Sequence, residues 1–249
     1  MADILSFELP DGKTCSYPLG TTFREMVGDL QSHYISPLVA VKLNHEIRDL
    51  YYSPIKGGKL EPIDLSQEDG VRIYSRSLSL VMLRVAEELY PGCKIRFEHS
   101  LSKGMYGEIY FPNQVSLTEK ELRTIVARMQ AIIEADEPIT KETMSLKAAI
   151  ELFKKKGQMD KVRLLQFKKN PETHIYHCGD YSDYFYGYMV PSTGYLKQFE
   201  LKFYLPGFIL RFPTKSSPTQ IPRFEEQRKL ARIFYEFEKW GKIMEIEDV

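Results

Sequence analysis

Two adjoining stretches hold the residue types that most often do chemistry. His174-Ile-Tyr-His177-Cys178 is the one His/Cys cluster of the chain, and Asp180 and Asp183 follow it directly. Metal binding needs several such donors converging on a point. The spacing works against that. On a strand the side chains alternate between faces, so His174, Tyr176 and Cys178 share one face and His177 lies on the other. The plain alternative is a strand with a buried thiol. The carboxylates also have two readings. They are an acid–base pair, or turn residues that accept bonds from their own backbone. Tyr181, Tyr184, Phe185, Tyr186 and Tyr188 make a dense aromatic run. It is either core plus a surface belt or a platform on which a base or ribose stacks.

Other chemistry is missing from the text of the sequence. His33, His45 and His99 have no close neighbours of metal-binding type, and Cys15 and Cys93 stand far apart. That pattern makes neither a disulfide framework nor a metal knuckle. No phosphate-binding Gly-x-x-x-x-Gly-Lys-Ser/Thr loop occurs, nor Gly-x-Gly-x-x-Gly, Gly-x-Ser-x-Gly or His-Glu-x-x-His.

The chain has 249 residues, with 34 basic and 34 acidic side chains, 43% hydrophobic residues and 12% aromatic ones. That is enough apolar material for packed cores, and two domains are expected. Neutrality excludes a uniformly basic nucleic-acid binder and an acidic solvating chain. It hides local asymmetry. Residues 1–67 carry six basic and nine acidic residues, whereas 154–169 carry seven basic residues against Asp160 alone. Residues 195–232 carry eight basic against three acidic. Such runs are solvated faces or phosphate contacts. Lys154, Lys155, Lys156, Lys168, Lys169 and Arg211 are the candidate contacts. No apolar run reaches the ~18–20 residues of a membrane helix. The N-terminus lacks a basic leader, and the odd, scattered cysteines fit reduced thiols. A cytoplasmic location away from membranes is expected.

These residues need elements to hold them. Ile4–Leu9 alternates before the turn Pro10-Asp11-Gly12, and Cys15–Leu19 makes a second strand. Thr21 or Thr22 caps a helix from Phe23 to His33. Strands follow at Val39–Leu43, Ile47–Tyr52 and Leu60–Leu65. The pattern predicts a small mixed sheet curled over one helix, a β-grasp. Gln67–Arg76 reads as a link, and Ser77–Tyr90 as a helix. Ile95–Glu98 and Gly107–Phe111 pair as strands. Ser116-Leu-Thr-Glu119 reads as a capping box before a helix that ends by Pro138. Helices follow at Ser145–Lys156 and Met159–Phe167. Strands at His174–Cys178, Phe199–Tyr204 and Phe208–Phe212 precede a last helix, Arg223–Trp240.

Leu9-Pro-Asp-Gly-Lys13, Gly20-Thr-Thr22, Val41-Lys-Leu-Asn44 and Ile47-Arg-Asp-Leu50 resemble a TGS domain, the ubiquitin-like module of threonyl-tRNA synthetases, certain GTPases and stringent-response enzymes. Gly179-Asp-Tyr-Ser-Asp183, Val190-Pro-Ser-Thr-Gly194, Lys197, Phe199, Gly207 and Arg211 resemble the editing domain that follows it in threonyl-tRNA synthetases. The resemblance implies an α+β fold. It divides the chain into a TGS domain at 1–67, an editing-like domain with a mainly antiparallel sheet and long helices at 68–222, and a C-terminal helix at 223–249.

In that family a His-x-x-x-His helix start and a Cys-x-x-x-His segment supply the editing chemistry. Counting back from Pro91 places the two histidines on Arg76 and Leu80. Counting back from Val190 places the Cys and His on Phe185 and Met189. None of these side chains replaces the lost groups, because Leu, Phe and Met do not titrate usefully and Arg stays protonated at neutral pH. The expected pocket is therefore a degenerate editing site around Arg76, Leu80, Phe185, Met189, Asp180 and Asp183, with no catalytic or metal-binding residue. A TGS module ahead of such a site is similar to the N-terminal part of bacterial uridine kinase-like nucleoside kinases. That resemblance implies a P-loop kinase domain beyond this chain, phosphorylating a nucleoside with ATP and Mg²⁺. The chain itself would be the non-catalytic regulatory part, binding a nucleotide, a tRNA 3′ end or an amino-acid-like ligand, with the kinase domain or a second copy as further partners. The alternative is a stand-alone aminoacyl-tRNA binding or trans-editing protein.

Overall fold

The computed structural model describes residues 3–112 and 116–227, together with Lys229, Ile233 and Glu236. The fold is α+β, with one mixed sheet and two antiparallel ones.

The N-terminal sheet follows from its turns. β1 (Ile4–Glu8) and β2 (Thr14–Pro18) form a hairpin closed at Gly12, whose φ of +80° suits glycine. α1 (Phe23–Leu30) starts at Thr22. The Thr22 hydroxyl meets the Glu25 backbone N, and the Glu25 carboxylate returns to the Thr22 N, a full capping box. The helix stops three residues earlier than expected, because Gln31–His33 tightens into a 3-10 turn. β3 (Ala40–Leu43), β4 (Glu46–Arg48) and β5 (Gly58–Ile63) complete the sheet in the order β2-β1-β5-β3-β4. β1 and β5 run parallel at its centre. This is the expected β-grasp. The strand expected to run to Tyr52 ends at Arg48 and turns back toward the helix.

The link expected over residues 67–76 does not exist as a link. α2 (Glu68–Leu89) begins at once and runs for 22 residues. It packs on α3 (Glu119–Glu134). The cap of α3 is Thr118 with Glu121, two residues beyond the box expected at Ser116 and Glu119. β6 (Lys94–Leu101) and β7 (Gly104–Tyr110) form a hairpin.

A strand absent from the expectation, β8 (Ile139–Ser145), precedes α4 (Leu146–Lys155) and α5 (Met159–Gln166). It pairs along its whole length with β9 (Glu172–Cys178). β10 (Tyr181–Tyr184) adds a third strand where a turn was expected, so Asp183 lies on a strand. β11 (Glu200–Tyr204) and β12 (Gly207–Arg211) join β7 and β6 in the order β11-β12-β7-β6. The helix expected from Arg223 does not start there. Residues 223–227 are irregular, and Lys229, Ile233 and Glu236 are helical; the rest of that segment lies outside the described residues.

One apolar core joins the two regions. Val39, Ala40, Ile63 and Leu65 of the N-terminal part pack into the same cluster as Ile73, Tyr74 and Leu78 of α2 and Ile125, Met129 and Phe208. A second cluster lies under α1, around Phe7, Phe23, Met26 and Leu60. Polar ties cross the same boundary. The Tyr51 hydroxyl donates to the Pro191 carbonyl at 2.8 Å, and Lys141 pairs with Asp49.

Candidate ligand site

A cavity of about 570 Å³ opens between α2, the β8–β9 face and the loop after β10. Its size suits a nucleotide-sized molecule. Four consecutive residues of the aromatic run, Tyr184, Phe185, Tyr186 and (past Gly187) Tyr188, line it together. The run therefore forms one wall of the cavity. Tyr186 is 86% exposed and the loop presents it to solvent at the cavity. Gly187 sits at φ +96°, and a Cβ there would fall 2.8 Å from Arg76 Nη1. The positive φ is what calls for glycine here, and the Arg76 guanidinium packs close beneath it.

Arg76 forms the helix side of the cavity. Its Nη1 donates to the Tyr188 carbonyl at 2.7 Å. Burial lowers its pKa, and the charge of Arg72 adds to the effect. Among the described residues no carboxylate pairs with it. Lys168 stands on the opposite wall, 5.1 Å above the Tyr184 ring, and donates to Thr173 Oγ1 at 2.8 Å. It too lacks a carboxylate partner among the described residues. Lys141 lies 5.0 Å from the Tyr188 ring. With Arg72 the lining holds four cations against Asp69 and Glu172. A surface built this way favours an anionic ligand with a flat ring.

His174 is the one imidazole in the lining. Its Nδ1 meets Thr143 Oγ1 at 2.9 Å. Partial burial holds its pKa below the ordinary 6.5, and Lys141 and Lys168 push the same way. His177 faces elsewhere, between Ser182 Oγ at 2.9 Å and Glu142 Oε2 at 3.0 Å. The two histidines diverge as strand alternation requires. No cluster of three or more His, Cys, Asp or Glu residues suited to a metal occurs among the described residues.

The other expected site residues go elsewhere. Leu80 and Met189 are buried in the shared core and do not line the cavity. Asp183 is buried with Lys161 at 2.9 Å and accepts from the Tyr184 N at 2.7 Å, which fits the structural reading. Asp180 is exposed and lies outside the lining. Arg211, a candidate phosphate contact, is not placed to make one. It is 3% exposed on a strand buried on both faces, paired with Glu200 and bonded to the Pro222 carbonyl. Lys154, Lys155, Lys156 and Lys169 are exposed.

One feature near the site had no sequence signal. Arg84 on α2 grips Glu137 through both nitrogens, at 2.6 and 3.2 Å, and its Nη1 lies 3.3 Å from Cys178 Sγ. The pair raises the Arg84 pKa, and burial raises that of the Cys178 thiol. Next to it, Thr193 accepts from the Glu137 N at 2.9 Å and donates to the Ile132 carbonyl at 2.8 Å. The Pro191-Ser-Thr-Gly194 segment is thereby pinned to the end of α3, and the loop lining the cavity runs into a fixed base.

No family model matches the chain. Among curated proteins it is similar to the threonine–tRNA ligase of Chloroherpeton thalassium, with 32% identity over 203 residues, covering 80% of this chain and 30% of that protein. The ligase of Agrobacterium fabrum is 32% identical over 197 residues, covering 78% and 29%. That of Symbiobacterium thermophilum is 29% identical over 204 residues, covering 81% and 31%. The kinase parent, with its ATP and Mg²⁺, gains no support from these relatives. Over about four fifths of its length the chain is a homologue of threonine–tRNA ligases, and it spans about a third of theirs.

Proposed function

We propose that this chain is a tRNA-binding module that holds an RNA 3′ end in the cavity and does not hydrolyse an aminoacyl ester there. The observation that carries the reading is the pairing of two cations with no carboxylate partner among the described residues, Arg76 and Lys168, with the Tyr184–Tyr188 wall. Phosphate meets the cations and a terminal base meets the rings. The homology to threonine–tRNA ligases supports an RNA of this class.

The case against hydrolysis is electrostatic. A histidine acting as general base becomes a cation as it takes its proton. His174 would have to do so beside Lys141 and Lys168, with a hydroxyl rather than a carboxylate as its partner. The positions where the editing family carries His and Cys hold Arg76, Leu80, Phe185 and Met189.

Equilibrium binding to tRNA over a range of salt tests the proposal. Binding should weaken steeply with salt, and Arg76→Met should weaken it about tenfold or more, the scale of one charge-assisted hydrogen bond. Mischarged tRNA should release its amino acid at the rate seen in buffer. Absence of salt-sensitive binding overturns the reading, and release above background replaces it with trans-editing.

The imidazole reports occupancy independently. In the free protein His174 should titrate below 6.5 by NMR. A phosphate placed between Lys141 and Lys168 would raise that value, and a value that stays put on saturation places the ligand elsewhere. The sign for stability follows from linkage. The unfolded chain binds this proton more tightly, so the folded state loses stability as the pH falls through 6.5 toward the lower folded value.

A further inference from the structure

α5 and Phe167, the residue just past it, present an apolar face that joins no core cluster among the described residues. Phe167 is 86% exposed and Leu164 is 56% exposed. Exposed cations flank them in the chain: Arg163 and Lys169 next to them, and Lys154, Lys155 and Lys156 at the end of α4. Within residues 154–169 Lys161 alone forms an ion pair among the described residues, to Asp183. An aromatic ring held in water among unpaired cations has the composition of a single-strand nucleic-acid platform, where the ring stacks on a base and the cations follow the phosphates.

Position adds to composition. Lys168 lines the cavity while its neighbour Phe167 faces outward. The cavity and the exposed ring are thus adjacent along the chain. From there α5 extends back about 12 Å, at ~1.5 Å per residue, to Met159. Lys154–Lys156 lie beyond that end, at the close of α4. A strand leaving the cavity past Phe167 meets positive charge along this whole path. A net surplus of six positive charges in residues 154–169 matches a backbone with one negative charge per nucleotide.

We propose that the α4–α5 surface is a docking face for the single-stranded RNA that continues from the cavity. Phe167 stacks on a base, and Lys154, Lys155, Lys156, Arg163 and Lys169 contact phosphates. The proposal rests on the reading that the cavity holds an RNA 3′ end, and it adds a second, separable surface to it.

The test uses the full chain and two probes, a CCA trinucleotide and a single strand of on the order of ten nucleotides ending in the same CCA, a length that such surfaces accommodate. Phe167→Ala should weaken the longer strand roughly tenfold and leave CCA unchanged, while Phe167→Tyr keeps both. Replacing Lys154, Lys155 and Lys156 together by alanine should flatten the salt dependence of the longer strand by about two in the log–log slope. These side chains are exposed, so thermal unfolding should match the parent and separate binding from folding. Equal binding of the longer strand by the parent and Phe167→Ala overturns the docking face even if CCA still binds. Phe167-dependent binding of the longer strand without CCA binding keeps the face and overturns the cavity reading. Binding of neither probe overturns both. Phe167-dependent binding to phosphatidylglycerol vesicles with no RNA binding reassigns the face to membranes and overturns the proposal.

Discussion

Gly70→Ala should destabilise the protein by about 2–3 kcal/mol in urea unfolding, although helix propensity alone favours alanine by about 1 kcal/mol. The sign turns on one close approach. A Cβ at Gly70 would lie 2.0 Å from the Asp64 carbonyl oxygen and 2.7 Å from its carbon. Backbone must move to admit it, and this backbone is held. The Asp64 carboxylate accepts from Ser36 Oγ at 3.0 Å and from the Ser66 N at 3.0 Å. Ser36 Oγ in turn accepts from the Leu65 N at 2.9 Å. Shifting the carbonyl strains this buried network, and shifting α2 disturbs its packing on α3. Equal or greater stability of the variant would show that α2 does not sit this close to the end of β5.

Arg84→Met should cost about 3 kcal/mol, toward the lower end for a buried ion pair broken from one side. In a chain of this size that corresponds to roughly 6–12 °C in melting temperature. Surface ion pairs are worth far less. This one is bidentate, and its arginine is mostly buried against a thiol. The loss comes mainly from leaving the Glu137 carboxylate without its partner. Adding Glu137→Leu to Arg84→Met should therefore recover at least about 1 kcal/mol, a coupling that a double-mutant cycle measures. A single-variant cost under about 1 kcal/mol would place the pair with the surface bridges.

The elements with strong periodicity were legible, and those whose faces are closed by polar or mixed surroundings were not. The β-grasp followed from turns and short alternating runs. β8 carries Ile139-Thr-Lys-Glu-Thr-Met-Ser145, mostly exposed, with no apolar alternation to mark it. Its pairing with β9 is what makes it a strand. The start of α2 was masked by Gly70, whose type signals a break but whose role here is contact with Asp64. Half of the site was legible for the same kind of reason. The aromatic run pointed to the cavity wall, and counting from Pro91 reached Arg76. Counting also selected Leu80 and Met189, which belong to the core, because a position count carries no information on which way a side chain turns. Arg211 was selected by local charge, but the strand that carries it is buried throughout. Lys168 was selected by the same criterion and does line the cavity. The Arg84–Glu137 pair joins residues 53 apart in sequence. Nothing local records it.

Val39, Ala40, Ile63 and Leu65 belong to the same buried cluster as α2 and the later sheet. A cut after residue 67 would leave both pieces with an oily face in water. The N-terminal unit therefore cannot be exchanged for another of its kind unless the newcomer brings a matching underside. Gene rearrangements that move this pair should carry it as one block, and heating should give a single calorimetric peak.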